Sequence, residues 1–559
     1  MTPKTIPFLR PFALAAAFVG SCHFFWSPLF MVNDDWWSVF ITQGSGFSIH
    51  PDEHLVFSNV LLGSVLKWLN MLVPALPWFT FLLLAALIHA LGCWGLAIEL
   101  GGQEPGRLFL YLLLLIQIGI YFFLKLNYSM IAGLEFQAGT LLFLRLFTDP
   151  AKTPRRATSW LGASCFAACL LLRWKAFVAW SIFLFPLIAM GAWRARKDPR
   201  DRHLLGLTTL SLAAIFAFHY LYFHSDPEWR EFYRFTYRSA ELVDWGTPID
   251  PRSAPSLFGA AGVTSNDLAM FKDWYFLDPA VTGPNGVEKL KPLFKHESID
   301  LASALGPITR FPLARCALIC VLALLALRRP KGTPLILFQL LWIIAACLGF
   351  LYFLRLPDRM LYPSYFLAAA LPLYFPSRWV QSPSRVVPTL YPWSRPILTV
   401  ILVLSALYSI RQFRPFERFC TDHRDKLYAE LERLAPTNDQ LFIIWDSQFP
   451  FEDLDPYRGF GPFRRSFHFF PFGNFETSPL ALGTLVRFGI HRPLEDMVDR
   501  PDVFLICSPQ EGEMYQTYMR ERHHQEIYIE RYFLSLPFNV YRIHSKPFQL
   551  RTPDPPKAD

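Results

Sequence analysis

The feature that most constrains the fold of this chain is a series of long apolar segments separated by short polar ones. Soluble domains carry about 25% charged residues, whereas 53% of these 559 residues are hydrophobic and only 18% are charged. Roughly 20 apolar residues are enough for a helix to cross a bilayer. We therefore predict an α-helical polytopic membrane protein with about eleven transmembrane helices. The predicted spans are residues 8–31, 77–98, 107–125, 131–147, 158–172, 175–193, 204–223, 310–328, 333–353, 360–376 and 396–412.

Basic residues between these segments predict the orientation. Lys and Arg are enriched in the cytoplasmic loops of membrane proteins, and here they recur on alternate loops, from Lys4 and Arg10 to the run 194–202. We therefore place the N-terminus in the cytoplasm, with the first helix uncleaved. An odd number of spans then places the C-terminus outside. The loops 32–76 and 224–309 and the tail 413–559 would all lie on the external face.

Charge and cysteine usage exclude several classes of protein. The net charge of +8 does not indicate a nucleic-acid partner, because the basic residues fall where topology explains them. The nine cysteines include no CxxC pair, so neither a disulfide framework nor a zinc cluster is indicated. Absence of a Walker loop, HExxH and GxSxG disfavours an ATP-driven pump, a zinc protease and an α/β hydrolase.

The composition divides the chain into a membrane domain (1–412) and a polar tail (413–559). Short apolar runs alternate with helical patterns in the tail, which predicts a small α/β domain with a largely parallel sheet. The predicted strands are 440–445, 502–507 and 538–543, and the predicted helices are 422–434, 479–488 and 511–521. In the first loop, the amphipathic stretch 55–69 favours a helix lying in the membrane interface.

Candidate site residues lie at the predicted external ends of membrane helices. Acidic residues so close to a membrane segment suggest a site, since they are costly unless they face water or a partner. A carboxylate can act as general base, and Arg or Lys can hold a phosphate. The first loop supplies Asp34, Asp35, His50, Asp52 and Glu53, and later helix turns supply Lys125, Asn127, Tyr128, Arg173, Lys175, Arg355, Arg359 and Tyr362.

This combination resembles the GT-C superfamily of integral-membrane glycosyltransferases, in its bacterial branch with a C-terminal external domain. The resemblance covers roughly residues 1–412 and rests on Asn33-Asp34-Asp35 after the first helix, the interfacial stretch of the first loop and the motif 355–363. The long loop, with Asp244 and Trp274, resembles a group of bacterial multi-spanning proteins for which the resemblance implies no function.

The resemblance implies a polyprenyl-phosphate sugar as donor, an envelope acceptor and a location in the bacterial inner membrane. Asp34 or Asp35 would be the base and Glu53 or Asp52 a second acid. His50 and Tyr362 are further candidates for substrate contact. No cofactor is firmly implied, and a divalent metal ion remains open. The residues expected to hold the lipid phosphate are Arg173, Lys175, Arg355 and Arg359.

Two other functions stay open at this point. A transporter or flippase of lipid-linked glycans should show midplane charges or inverted repeats, and few such charges and no convincing repeat are seen. A non-catalytic envelope assembly protein would use the tail to recruit partners.

Overall fold

The chain is mostly helical, with one mixed β-sheet near its C-terminus. A computed structural model describes residues 6–101, 105–149, 153–282, 286–296, 333–353, 357–375, 391–445, 448–473, 475–534 and 537–547. The first group of helices is α1 (Ile6–Phe25), α2 (Asn33–Gln43), α3 (Val60–Leu72), α4 (Trp78–Glu99), α5 (Pro105–Leu114), α6 (Ile120–Leu124), α7 (Tyr128–Thr148), α8 (Arg155–Leu172), α9 (Trp174–Phe183), α10 (Phe185–Ala195) and α11 (Pro199–Ser225). A π-helical turn, Leu115–Gly119, joins α5 to α6.

The remaining helices alternate with short strands. They are α12 (Pro227–Trp245), α13 (Pro255–Ala261), α14 (Ser265–Lys272), α15 (Pro279–Thr282), α16 (Gly286–Leu290), α17 (Thr333–Phe353), α18 (Asp358–Tyr374), α19 (Tyr391–Leu434), α20 (Pro479–Arg487) and α21 (Pro509–His523). The strands are β1 (Leu29–Phe30), β2 (Lys125–Leu126), β3 (Gly246–Pro248), β4 (Phe294–His296), β5 (Leu441–Trp445), β6 (His468–Phe472), β7 (Val503–Ile506), β8 (Tyr528–Leu534) and β9 (Asn539–His544).

Fewer helices than predicted are long and apolar enough to cross a membrane. Within the described ranges there are 5, or up to 6 if the pair α9 and α10, bent by 82°, is one broken span. The predicted count of about eleven is therefore not supported. The helices that qualify are Trp78–Glu99, Arg107–Leu124, Tyr128–Thr148, Pro199–Ser225 and Thr333–Leu351.

The discrepancy has identifiable physical causes. The predicted span 158–172 falls in α8, whose 18 residues begin with two arginines, and the predicted span 360–376 falls in α18, which has 17 residues and contains two prolines. The predicted span 175–193 is interrupted by the bend between α9 and α10. The span 396–412 is part of the 44-residue helix α19, which continues into a charged sequence, and 310–328 lies outside the described residues. The external position of the C-terminus was inferred from an odd number of spans. Since the predicted number of spans is not supported, it no longer supports that inference.

Helix α7 is the centre of the helical region. The apolar 18-residue stretch of α7 is entirely buried, whereas only 6% of the corresponding stretch of α11 is buried. Asn127 caps α7 by accepting hydrogen bonds from the backbone N–H groups of Ser129 and Met130, the usual role of an N-cap asparagine. Helices α4, α8, α9, α10 and α18 pack around α7. The structure also confirms the predicted break at Arg173, which is extended between the ends of α8 and α9.

The C-terminal sheet has the strand order β6-β5-β7-β9-β8. Strand β5 is parallel to β6 and to β7, whereas β9 is antiparallel to both β7 and β8. The sheet is thus mixed rather than largely parallel. The three predicted strands correspond to β5, β7 and β9. Helix α19 runs through residue 412, so the predicted domain boundary lies within one continuous helix.

The three polar regions contact one another. Trp37 of the first loop packs against Phe451, Phe469 and Phe475 of the C-terminal region. In the long loop, the buried Asp267 pairs with Arg522 of α21. The first loop and the long loop therefore both pack against the C-terminal region, and we call the described residues of these three regions the polar layer.

Candidate functional site

A two-residue parallel ladder brings the first loop to the start of α7. Leu29 pairs with Lys125 and Phe30 with Leu126. The backbone N–H of Met31 then donates to the carbonyl of Leu126 at 3.0 Å. Because α2 begins just after β1 and α7 just after β2, the Asn33-Asp34-Asp35 sequence lies beside the N-terminal turn of α7.

Asp35 is enclosed at this junction. Its side chain is fully buried. One carboxyl oxygen accepts from Asn127 Nδ2 at 2.9 Å, and the other accepts from the backbone N–H of Tyr128 at 3.2 Å. Burial raises the pKa of Asp35 to about 8, although these hydrogen bonds act in the opposite direction. The raised pKa favours the protonated form of Asp35, and its two hydrogen bonds hold the α2–α7 junction.

Asp34 faces a different neighbour. Its Oδ2 lies 3.3 Å from Nη1 of Arg359, at the start of α18. The Asp34 side chain is 17% exposed and that of Arg359 is 25% exposed, so a ligand can reach both. Asp34 also lies in the first turn of α2, where the helix dipole stabilises a negative charge. Of the two adjacent aspartates, Asp34 is the accessible one.

Two further cationic side chains, Arg173 and Lys175, lie beside the Asp34–Arg359 pair. Arg173 Nη1 donates to the hydroxyl groups of Tyr128 (2.6 Å) and Ser129 (2.7 Å). The ammonium group of Lys175 lies 3.8 Å from the centre of the Tyr237 ring. Lys175 is also within electrostatic range of Arg173, Arg359 and Asp34.

The resulting charge balance favours an anionic ligand. Arg173, Lys175 and Arg359 supply three cationic groups, and the carboxyl groups within range are those of Asp34, Asp35 and Asp244, of which Asp35 has a raised pKa because it is buried. Arginine presents five N–H donors, so Arg359 can hold Asp34 and a phosphate at once. We call these residues, Asp34, Asp35, Arg173, Lys175 and Arg359, the junction cluster.

The other acids of the first loop face elsewhere. Glu53 bonds to Lys67 of α3 and accepts from the Tyr222 hydroxyl at 2.6 Å, and these contacts lower its pKa against the opposing effect of burial. Asp52 accepts from the backbone N–H and the ring Nδ1 of His54 at 2.8 and 2.7 Å. Glu53 thus holds the loop against α3 and α11, and Asp52 holds the turn within the loop. These hydrogen bonds do not join either acid to the junction cluster.

The last predicted site residues have separate positions. His50 is exposed, and its carbonyl accepts from Ser48 at 2.8 Å. Tyr362 is buried one turn after Arg359, with its ring centre 4.0 Å from that of Tyr121. Arg355 lies outside the described residues.

The junction cluster is poorly suited to a divalent metal ion. Both oxygens of Asp35 already accept N–H hydrogen bonds, and the group is neutral near pH 7. The guanidinium of Arg359 stands 3.3 Å from Asp34, so a divalent cation bound there would be repelled. The open possibility of a metal therefore finds no support in this arrangement.

Sequence reasoning missed two features around the cluster. Tyr237 of α12 contacts Lys175. Tyr233 and Tyr237 are spaced i, i+4 and so share one face of α12, and the amphipathicity of that helix was the signal that could have shown this contact. The acidic Asn33-Asp34-Asp35 stretch also begins a helix rather than remaining a loop.

Comparison with known proteins finds no matching family model, curated protein or solved structure.

Proposed function

We propose that this chain is a membrane-embedded glycosyltransferase of the GT-C type, which transfers a sugar from a polyprenyl-phosphate donor to a cell-envelope acceptor. The observation that carries the proposal is the ion pair of Asp34 and Arg359, with Arg173 and Lys175 within electrostatic range. An accessible carboxylate and three cations match the needs of a reaction in which a hydroxyl loses a proton and a phosphate leaves.

The reaction is an inverting displacement. A hydroxyl oxygen of the acceptor attacks the anomeric carbon of the sugar, on the side opposite the lipid phosphate. The bond between that carbon and the phosphate oxygen breaks, and the phosphate leaves with the bonding electrons. Asp34 takes the proton of the attacking hydroxyl, since its carboxylate is exposed enough to meet the acceptor.

The cations stabilise the negative charge that grows on the leaving phosphate. Arg359 supplies donors beside Asp34 and so places the phosphate near the base. Arg173, itself positioned by Tyr128 and Ser129, and the exposed Lys175 complete the anion site. Asp35 acts as a positioning residue, because its neutral buried carboxyl ties α2 to α7 through Asn127.

The proposed setting is the inner membrane of a bacterial cell. The basic loops support a cytoplasmic N-terminus, and the polar layer then lies on the external face together with the junction cluster. A donor lipid lying in the bilayer would present its phosphate at this level, where the ends of α1, α7 and α18 meet.

Transfer of a radiolabelled sugar tests the proposal. The full-length protein, purified in nanodiscs, is incubated with a panel of polyprenyl-phosphate sugars and an envelope extract as acceptor. We expect Asp34→Asn to lower the rate by about 100-fold or more, the usual contribution of a general base. We expect Arg359→Gln to lower it by about 100-fold, as loss of one charge-stabilising donor does.

Asp439→Asn and Arg520→Gln are the matched controls, because both residues are exposed and lie outside the junction cluster, Asp439 just before β5 and Arg520 in α21. They should retain the wild-type rate. An Asp34→Asn variant that transfers sugar as fast as the wild type would refute the role of the base. Movement of a lipid-linked glycan across proteoliposomes without transfer would instead support the transporter.

A further inference from the structure

A second polar cluster lies among the apolar helices. His89 and Cys93 are one turn apart on α4, Glu135 is on α7, and Cys165 is on α8. The side chain of Glu135 is fully buried, as are Cys93 and Cys165. Ionisable groups inside a membrane region are costly and usually serve a function, and the junction cluster does not use these four.

The side chains of this cluster contact one another closely. Nδ1 of His89 lies 2.9 and 3.0 Å from the two carboxyl oxygens of Glu135. Nε2 of His89 lies 3.7 Å from Sγ of Cys93. The donor atoms of His89, Cys93 and Cys165 all lie within 4.8 Å of one another.

These distances approach those of a metal site. In a tetrahedral zinc centre with Zn–S of about 2.3 Å and Zn–N of about 2.0 Å, the ligand atoms are about 3.5–3.8 Å apart. His89 and Cys93 already have that separation, and Cys165 needs only a small approach. Glu135 occupies the position of a carboxylate that orients a metal-binding histidine, since it accepts a hydrogen bond from Nδ1–H of His89 and leaves Nε2 directed at the thiols.

We propose that His89, Cys93 and Cys165 bind one metal ion, and that the ion is Zn²⁺. Thiolate and imidazole ligands suit both Zn²⁺ and Cu⁺. Two thiolates and a neutral imidazole around Zn²⁺ carry no net charge, whereas the same ligands around Cu⁺ carry one negative charge. The low dielectric of the membrane region and the nearby carboxylate of Glu135 both favour the neutral complex.

Ser164 is the candidate for the fourth ligand position of the metal ion. Oγ of Ser164 lies 3.2 Å from Nε2 of His89, and Ser164 is exposed. The His89 side chain is 29% exposed, which gives the cluster an opening at the helix surface. On binding, Zn²⁺ replaces the two thiol protons, which are released. Three protein ligands with a hydroxyl or water in the fourth place are typical of an accessible zinc centre.

This inference is independent of the proposed transferase function, because none of its residues belongs to the junction cluster. The binding test accordingly needs no sugar substrate.

Metal content and cobalt absorption test the site. The full-length protein in detergent is stripped with a chelator, incubated with ZnCl₂ or CoCl₂, and desalted. We expect about one equivalent of zinc per chain, and with cobalt the near-ultraviolet thiolate-to-cobalt absorption band. Cys93→Ala and Cys165→Ala should each lose both signals. Cys347→Ala is the matched control, since Cys347 is a buried cysteine of α17 outside the cluster.

The cobalt band of the wild-type protein tests the site even if the cysteine variants fail to fold. A wild-type protein that retains no zinc and shows no thiolate band would overturn the proposal. Equal zinc retention by wild type, Cys93→Ala and Cys165→Ala would overturn it as well. Stronger retention of Cu⁺ than of Zn²⁺ in direct competition would overturn the choice of metal.

Discussion

Arg359 Nη1 lies 3.3 Å from Asp34 Oδ2, although 325 positions separate the two residues in the chain. The pair connects the first turn of α2 to the first turn of α18 and so closes the junction cluster across the helical region. Both side chains keep some exposure, and solvent therefore weakens their attraction. Such ion pairs contribute about 1 kcal/mol or less to the free energy of unfolding.

A double-mutant cycle on this pair should give a small coupling energy. We expect Asp34→Asn and Arg359→Gln each to lower the unfolding free energy by about 1 kcal/mol, because each removes the same contact. The double variant should then lose less than the sum of the two. Thermal unfolding in nanodiscs measures all four proteins. If the double variant loses the full sum of the two single losses in unfolding free energy, the two groups do not interact in solution.

The raised pKa of Asp35 predicts a specific pH dependence of stability. The folded protein holds a proton on Asp35 up to a pKa of about 8, whereas the unfolded chain releases it near the ordinary value of 3.8. The folded state therefore binds more protons between these values, and its stability falls as pH rises through this window. One such proton contributes a slope of at most about 1.4 kcal/mol per pH unit.

Asp35→Asn should remove this slope. The variant also loses one of the two hydrogen bonds to Asn127 and Tyr128, so we expect it to be less stable by about 1–2 kcal/mol near pH 5. Its disadvantage should shrink or reverse near pH 9, because an amide cannot ionise. Unfolding temperatures across this range measure the effect, with Asp439→Asn as control. Parallel curves for wild type and Asp35→Asn would contradict the buried, protonated state.

The two strands that the sequence did not predict are the edges of the sheet. β6 contains Pro471, and a proline usually argues against a strand except at an edge, where no partner needs its N–H. β8 carries Glu530 and Arg531, charges that protect an exposed edge from pairing with another chain. Of the inner strands, β5 and β7 are continuous apolar runs and β9 alternates apolar with polar residues, so all three were predictable within a residue or two, whereas the edge strands lack such a signal.

The sequence likewise indicated one part of the candidate site and not the other. The structure brings Asp34, Arg173, Lys175 and Arg359 near one another, and each of them follows or precedes an apolar segment, which is the local signal by which the sequence singled them out. Local spacing could not assign Glu53 and Asp52, whose partners Lys67, Tyr222 and His54 are set by tertiary packing. The cluster of Cys93 and Cys165 was missed for the same reason, since 72 positions separate two cysteines that share no motif. The His89 and Cys93 spacing of one helical turn was its only local signal.

Removal of Arg522 should loosen the long loop from the C-terminal region. Its guanidinium pairs with Asp267, whose side chain is fully buried, at an Nε distance of 3.2 Å. Arg522→Ala leaves that carboxylate without its cation, which costs about 3 kcal/mol in buried pairs. We expect faster hydrogen exchange in α14, measured by mass spectrometry. Arg520→Ala, an exposed residue of the same helix, should change nothing, and equal protection in both variants would contradict the docking role.

Gly63 is required by the close approach of α3 to the first loop. A Cβ at this position would lie 2.0 Å from the carbonyl oxygen of Glu53 and 2.8 Å from its carbonyl carbon. Both are backbone atoms, so the loop itself must move. Alanine is the better helix former by about 1 kcal/mol, but we expect Gly63→Ala to destabilise by about 2–3 kcal/mol because the overlap dominates. Gly483→Ala in α20, where nothing lies within 4 Å of the new Cβ, is the control and should stabilise slightly. Chemical unfolding of both variants measures the difference, and a stabilised Gly63→Ala protein would show that the loop carrying Asp52 and Glu53 does not rest on α3.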